Sequence, residues 1–199
     1  MLFGKKADAA DKDQRTQAEQ ALGTPAAAET ASGVNGNKVS AEDARKRMNA
    51  SKQMAAAFGE VVSLLMRSGS DKHHSLADLE WLVVPAIARG QYALAEAQSK
   101  ETGATAPVGA VLWALVSQEV DKRLSDISAP VRLRPDEWRS GDIPWIVLAT
   151  GDLKILGGLI QQLTHKAFNE RAPRMRVRGA DGKISVGQLE VRQKAATDA

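Results

Sequence analysis

The 199-residue chain predicts an α+β fold, with N-terminal helices followed by a mostly antiparallel sheet crossed by a helix. Three observations carry that expectation. Large apolar residues recur at largely helical spacing from Met48 to Leu65, and after Gly90 the period changes to that of strands. Near the C-terminus, Asp181-Gly182 is a strong short-range hairpin signal.

The elements follow in order. From Met1 to about Lys38 almost no large apolar residue occurs after Phe3, so the segment cannot bury enough surface to offset its ordering. Residues 1–39 are expected to form a disordered or weakly ordered arm, 40–193 the globular domain and 194–199 a flexible tail. Ser40 can cap a first helix with Asp43 in the position of a capping-box acid; Met48, Met54, Phe58, Val61, Val62 and Leu65 then fall at helical spacing up to about Gly69. A second helix covers 76–84, where Leu76, Leu79, Leu82 and Val83 share a face and Pro85 acts as a stop or kink. Strands over 91–98 and 107–117 flank the turn-rich Ser99–Ala104, which predicts a hairpin. A short helix over 119–124, a short strand over 131–133 and a strongly apolar strand over 143–150 come next. Asp152 caps a helix that runs to about Phe168. Strands over 175–178 and 184–191 close the chain around Ala180-Asp-Gly-Lys183.

Composition narrows the chemistry. The absence of cysteine removes disulfides, thiolate metal sites and a covalent thioester on a cysteine nucleophile. No apolar run approaches the roughly 18 residues of a membrane span, and Met1–Lys6 lacks the apolar region of a secretory signal. A cytoplasmic protein without stable membrane insertion is therefore expected. Neither a G-x-x-x-x-G-K-S/T loop nor a dinucleotide fingerprint occurs. The formal net charge is +3, but cations gather at Arg171, Arg174, Arg176, Arg178, Lys183, Arg192 and Lys194 against Asp181 and Glu190. That cluster reads as a docking face for an acidic partner or as a solvated strand face. With few aromatics among its basic residues and no reading motif, no nucleic acid is expected.

Several short motifs stand in one order from about Phe58 to Val191: Val84-Pro-Ala-Ile87, Gly90-Gln-Tyr-Ala-Leu94, Pro107-Val108, Trp113-Ala114, Glu137-Trp138, Ser140-Gly-Asp142 and Trp145. In these the chain resembles the lysine acyltransferases that activate RTX toxins. The resemblance implies a variant of the N-acetyltransferase (GNAT) fold, often a homodimer. It implies transfer of a fatty acyl group from acyl carrier protein to the ε-amine of internal lysines of an RTX-type protoxin, with no separate cofactor. It further implies a base in a Ser-Pro-x-His-like motif, assisted by an aspartate three residues after the tryptophan that follows Ser-Gly-Asp. In ungapped register Gly69 stands at the proline and Asp71 at the histidine, within Ser68-Gly-Ser-Asp-Lys-His-His74, while Leu148 stands at the acid. A loop shift would bring His73, or alternatively His74, into the histidine position; the nearest acid downstream is Asp152.

The chemistry explains why a histidine is sought. A lysine nucleophile must lose a proton, and with an unperturbed pKa near ~10.4 it needs a positioned base that titrates near neutrality. Without cysteine, the simplest route is direct attack on the thioester through an oxyanion held by backbone N–H groups. The candidate catalytic residues are His73, His74 and Asp152; the candidate substrate-binding residues are Trp138, Trp145, Arg174 and Arg176. Plain structural roles compete with each. The adjacent histidines also fit a solvated turn, Asp152 an N-cap, and Trp81, Trp113 and Trp145 the core. Trp138 either supports the site or covers it, Ser140-Gly-Asp142 reads as a tight turn, and His165 suits the end of its helix. No metal is expected, because the paired histidines lack a third spaced ligand. Asp71 and Leu148 also motivate a second reading, a member that keeps the fold and binds carrier protein or toxin as a chaperone or regulator.

Overall fold

A computed structural model of the protein describes residues 40–179 and 181–189. The expected arm over 1–39, the tail over 194–199, and Ala180 and residues 190–193 of the closing hairpin lie outside the described residues. Helix α1 spans Ala41–Arg67, and the Ser40 hydroxyl accepts from the Glu42 and Asp43 amides at 3.1 and 3.4 Å. Its buried residues, Ala57, Val61, Leu64 and Leu65, recur at the spacing of one helical stripe, so only the C-terminal half of α1 packs on the sheet. Helix α2 spans Leu76–Leu82 and carries a full capping box, in which Ser75 and Asp78 satisfy each other's backbone amides. Pro85 neither ends the helical segment nor kinks one helix. It sits in the first turn of a separate short helix α3, Val84–Ala88, where its missing N–H is no loss. Gly90, at φ 66°, then closes α3: its amide donates to Ile87 O at 3.0 Å and that of Gln91 to Ala86 O at 2.8 Å.

Five strands follow, β1 Tyr92–Gln98, β2 Thr105–Val116, β3 Ile143–Gly151, β4 Arg174–Arg178 and β5 Ile184–Gln188, in one sheet of that order. Neighbours are antiparallel except β3 and β4, which are parallel. Helix α4, Gln118–Ser125, lies in the long connection between β2 and β3; α5, Leu153–Lys166, crosses between β3 and β4. The architecture is the expected α+β, GNAT-like arrangement.

Alternating residues of β2 serve two cores. Ala110, Leu112, Ala114 and Val116 pack with α1, α2, α3, Trp138 and Trp145 on one face. Val111 and Trp113, with Ile146, meet Leu156, Ile160, Leu163 and Phe168 on the other, where the Trp113 and Phe168 rings stand edge to face at 5.8 Å. The expected strand over 131–133 does not form. Its apolar residues cover the sheet instead of lengthening its edge: Leu133 is fully buried, and nearby carbonyls accept from side chains, Ala129 O from Arg176 and Arg132 O from Arg123.

Candidate functional site

The site grows from the one parallel pairing in the sheet. Strands β3 and β4 are in register only at Trp145 with Arg174 and Ile146 with Met175, after which they part. On its other side β3 carries a bulge: Trp113 faces Ile146 and Leu112 faces Leu148, leaving Val147 as the extra residue. The parting strands open a groove of about 320 Å³. Its floor is Trp145–Ala149 of β3 with Met175 and Arg176 of β4; Trp81, Leu82 and Val131 wall it, and Asp71 and His74 stand at its mouth.

The turn between α1 and α2 brings those two mouth residues together. The Ser68 hydroxyl donates to the Asp71 carboxylate at 2.7 Å and accepts from the Asp71 amide at 3.2 Å, and the His74 amide donates to Asp71 O at 3.2 Å. His74 is exposed and lines the groove; His73 is exposed and is not among its lining residues. Just beyond, Asp78 accepts from the Ser75 amide and hydroxyl at 2.8 and 2.7 Å and from the Trp81 indole at 3.3 Å. The Ser75 amide first, then the Ser75 hydroxyl, the indole and the charge of His74 lower its carboxyl to about 2.

Under the floor sits a residue that sequence reasoning passed over. Asp121, buried on α4, accepts from the Trp145 indole at 2.7 Å, and Arg174 Nη1 reaches both of its oxygens at 2.8 and 2.7 Å. Arg176 donates to three carbonyls at the end of α4 and in the loop after it, Leu124 O at 2.9 Å, Asp126 O at 2.7 Å and Ala129 O at 2.8 Å. Desolvation by burial pushes its pKa down from the usual arginine range. Arg174 and Arg176 thus turn inward and fasten α4 to the floor of the groove. Their side chains are committed to internal partners, and Trp145 is buried.

The remaining sequence candidates are placed elsewhere. Trp138 is fully buried, and its carbonyl accepts from Gln91 Nε2 at 2.9 Å and from the Leu115 amide at 3.0 Å. Asp152 is exposed and caps α5, accepting from the Lys154 and Ile155 amides at 2.8 and 3.4 Å; it does not line the groove. Leu148 forms apolar wall, buried in the core. His165 bonds Glu170 at 2.7 Å beside the end of α5. In Ser140-Gly-Asp142, a Cβ on Gly141 would lie 2.5 Å from Val116 O, so the glycine permits the chain to pass against the end of β2. Ser140 accepts from the Ser117 amide at 2.9 Å and donates to Glu137 O at 3.0 Å, and Asp142 pairs with Arg171.

Among the described residues, no group of three or more His, Asp or Glu could hold a metal, and no helix is long and apolar enough to cross a membrane. What the groove offers is an apolar trough, a strand edge that β4 has left, and an imidazole with a carboxylate at the mouth. The sequence signal for Asp121 was slight: an acid one residue after a buried valine and three before a buried leucine on a short helix. Comparison with protein families gives a match over residues 50–188 to the model described as HlyC, the RTX toxin acyltransferase family. Among curated proteins none matches.

Proposed function

The chain belongs to the RTX toxin acyltransferase family, and from that membership we propose that it carries a fatty acyl group from acyl carrier protein to internal lysines of an RTX-type protoxin, with His74 as the general base. The observation that carries this reading is the position of His74 at the mouth of the groove where β3 and β4 part. An ammonium arriving there gives its proton to the imidazole, and the amine attacks the thioester carbon. The negative charge on oxygen meets backbone N–H groups of β3 near the Val147 bulge. Collapse breaks the carbon–sulfur bond, the second nitrogen proton passes to the departing sulfur, and the carrier thiol leaves with the amide formed. Asp71, three residues before His74 and held by the Ser68 hydroxyl, shares the mouth of the groove with it. Asp152 stays an N-cap in this scheme. Since Arg174 and Arg176 are used internally, the acidic carrier protein docks on the exposed cations of the β4–β5 hairpin, Arg178 and Lys183.

A specific observation favours a second reading. Leu148 presents a hydrocarbon wall where the family resemblance asks for an acid, so the chain would bind carrier protein or toxin without turnover. Transfer of a labelled acyl chain from carrier protein to protoxin lysine, measured beside carrier-protein affinity, separates the two. Labelled lysine supports the enzyme; tight binding with no labelled lysine selects the second reading.

A further inference from the structure

The groove beside β3 shares a wall with a second one. Trp81 lines both, and on its far side Pro85, Pro130, Leu133 and Pro135 enclose about 470 Å³. The extended segment between α4 and β3 alternates across this wall: Val131 lines the first groove, Pro130 and Arg132 the second. Two contacts hold the partition. Asp78 accepts from the Trp81 indole at 3.3 Å, and the Arg132 guanidinium lies 5.9 Å from the centre of the Trp81 ring. Trp81 itself is half-buried, and Arg132 is exposed.

We propose that the donor's acyl chain, its thioester beside His74, runs past Trp81 into the second groove, and that Trp81 and Arg132 form a gate setting the chain length accepted. This rests on the acyl-transfer reading above. The first groove alone lies at the lower end of the roughly 300–1,000 Å³ of small-molecule sites, whereas the two joined hold a long chain. The shared Trp81 and a wall of three prolines and a leucine fit an alkyl chain, with Glu80, Arg132 and Arg134 lining the same groove. Each methylene buried there tightens binding roughly fourfold.

The test compares hexadecanoyl with octanoyl carrier protein as donor. Pro130→Phe fills the second groove, and the ratio of hexadecanoyl to octanoyl transfer falls at least about tenfold, the loss of roughly two buried methylenes. A ratio within twofold of wild type overturns the gate. Absence of transfer by wild type with either donor overturns the acyl-transfer reading instead, and a binding measurement then still judges the gate. Stearic acid with a nitroxide near its terminal methyl quenches wild-type indole emission. That quenching is largely lost in Trp81→Phe and in Pro130→Phe; equal quenching in all three proteins overturns the proposal.

Discussion

Asp71, His73 and His74 lie within four residues, yet only the first and third line the groove. Side-chain direction in a turn depends on hydrogen bonds such as Ser68 to Asp71, which sequence spacing does not reveal, and this is why the sequence favours His73 over His74 whereas His74 is the one that lines the groove. Asp121 was illegible for a related reason: an acid on a short helix reads as solvated until Trp145 and Arg174, both distant in sequence, are seen to converge on it. Removing it leaves Arg174 and an indole N–H without their partner. Asp121→Ala therefore costs on the order of 2–4 kcal/mol in urea unfolding, and a loss below about 0.5 kcal/mol contradicts the role given to it. Asp78 makes a pH prediction. Its folded pKa of about 2 lies below the ordinary 3.8 of an aspartate, so its stabilising contribution is present above the unfolded value and is lost as pH falls towards 2. Carboxyl NMR titration finds Asp78 titrating near 2, and Ser75→Ala, which keeps the hydrogen bond from the amide but removes the hydroxyl, raises it part of the way towards the ordinary value; no movement in that variant contradicts the hydroxyl's share.

At the scale of elements, the first helix, the β1–β2 hairpin, β3, and α5 with its Asp152 cap were legible, because each is specified by local periodicity and turn chemistry. The parallel pairing of β3 with β4 was not, since it depends on where the chain returns after α5. The bulge at Val147 was equally hidden: one extra residue leaves the apolar pattern of β3 intact. Leu133 explains the false strand, as two apolar residues flanking Arg132 serve a covering segment as well as a strand. Two elements carry measurable consequences. Ser75→Ala removes the hydroxyl that accepts from the Asp78 amide at the start of α2, and costs about 1 kcal/mol in chemical denaturation. Gly141→Ala forces a methyl to within 2.5 Å of a backbone oxygen of β2 and lowers stability by about 1–3 kcal/mol; an unchanged midpoint contradicts that close approach.

Across the molecule, the sheet packs an apolar core on both faces, and the groove proposed as the site lies where a parallel pair separates. Helix α4 is bolted beneath that opening through Asp121, Arg174 and Arg176, while the turn before α2 brings an imidazole to its mouth. A rigid floor and a titratable mouth residue are what direct acyl transfer to an amine requires. The family resemblance was readable in scattered motifs because several of them do structural work: Gly90 ends α3, Gly141 passes against β2 and Trp145 meets Asp121. The mouth of the groove was not readable in the same way, because the chain departs from the family pattern at that very turn, with Gly69 and Asp71 in place of the proline and histidine. The most direct measurement is the initial rate of acyl transfer from carrier protein to protoxin lysine by wild type, His73→Ala and His74→Ala. The expected result is a fall of at least ~100-fold for His74→Ala with the His73→Ala rate close to wild type; a His74→Ala enzyme as fast as wild type contradicts the assignment.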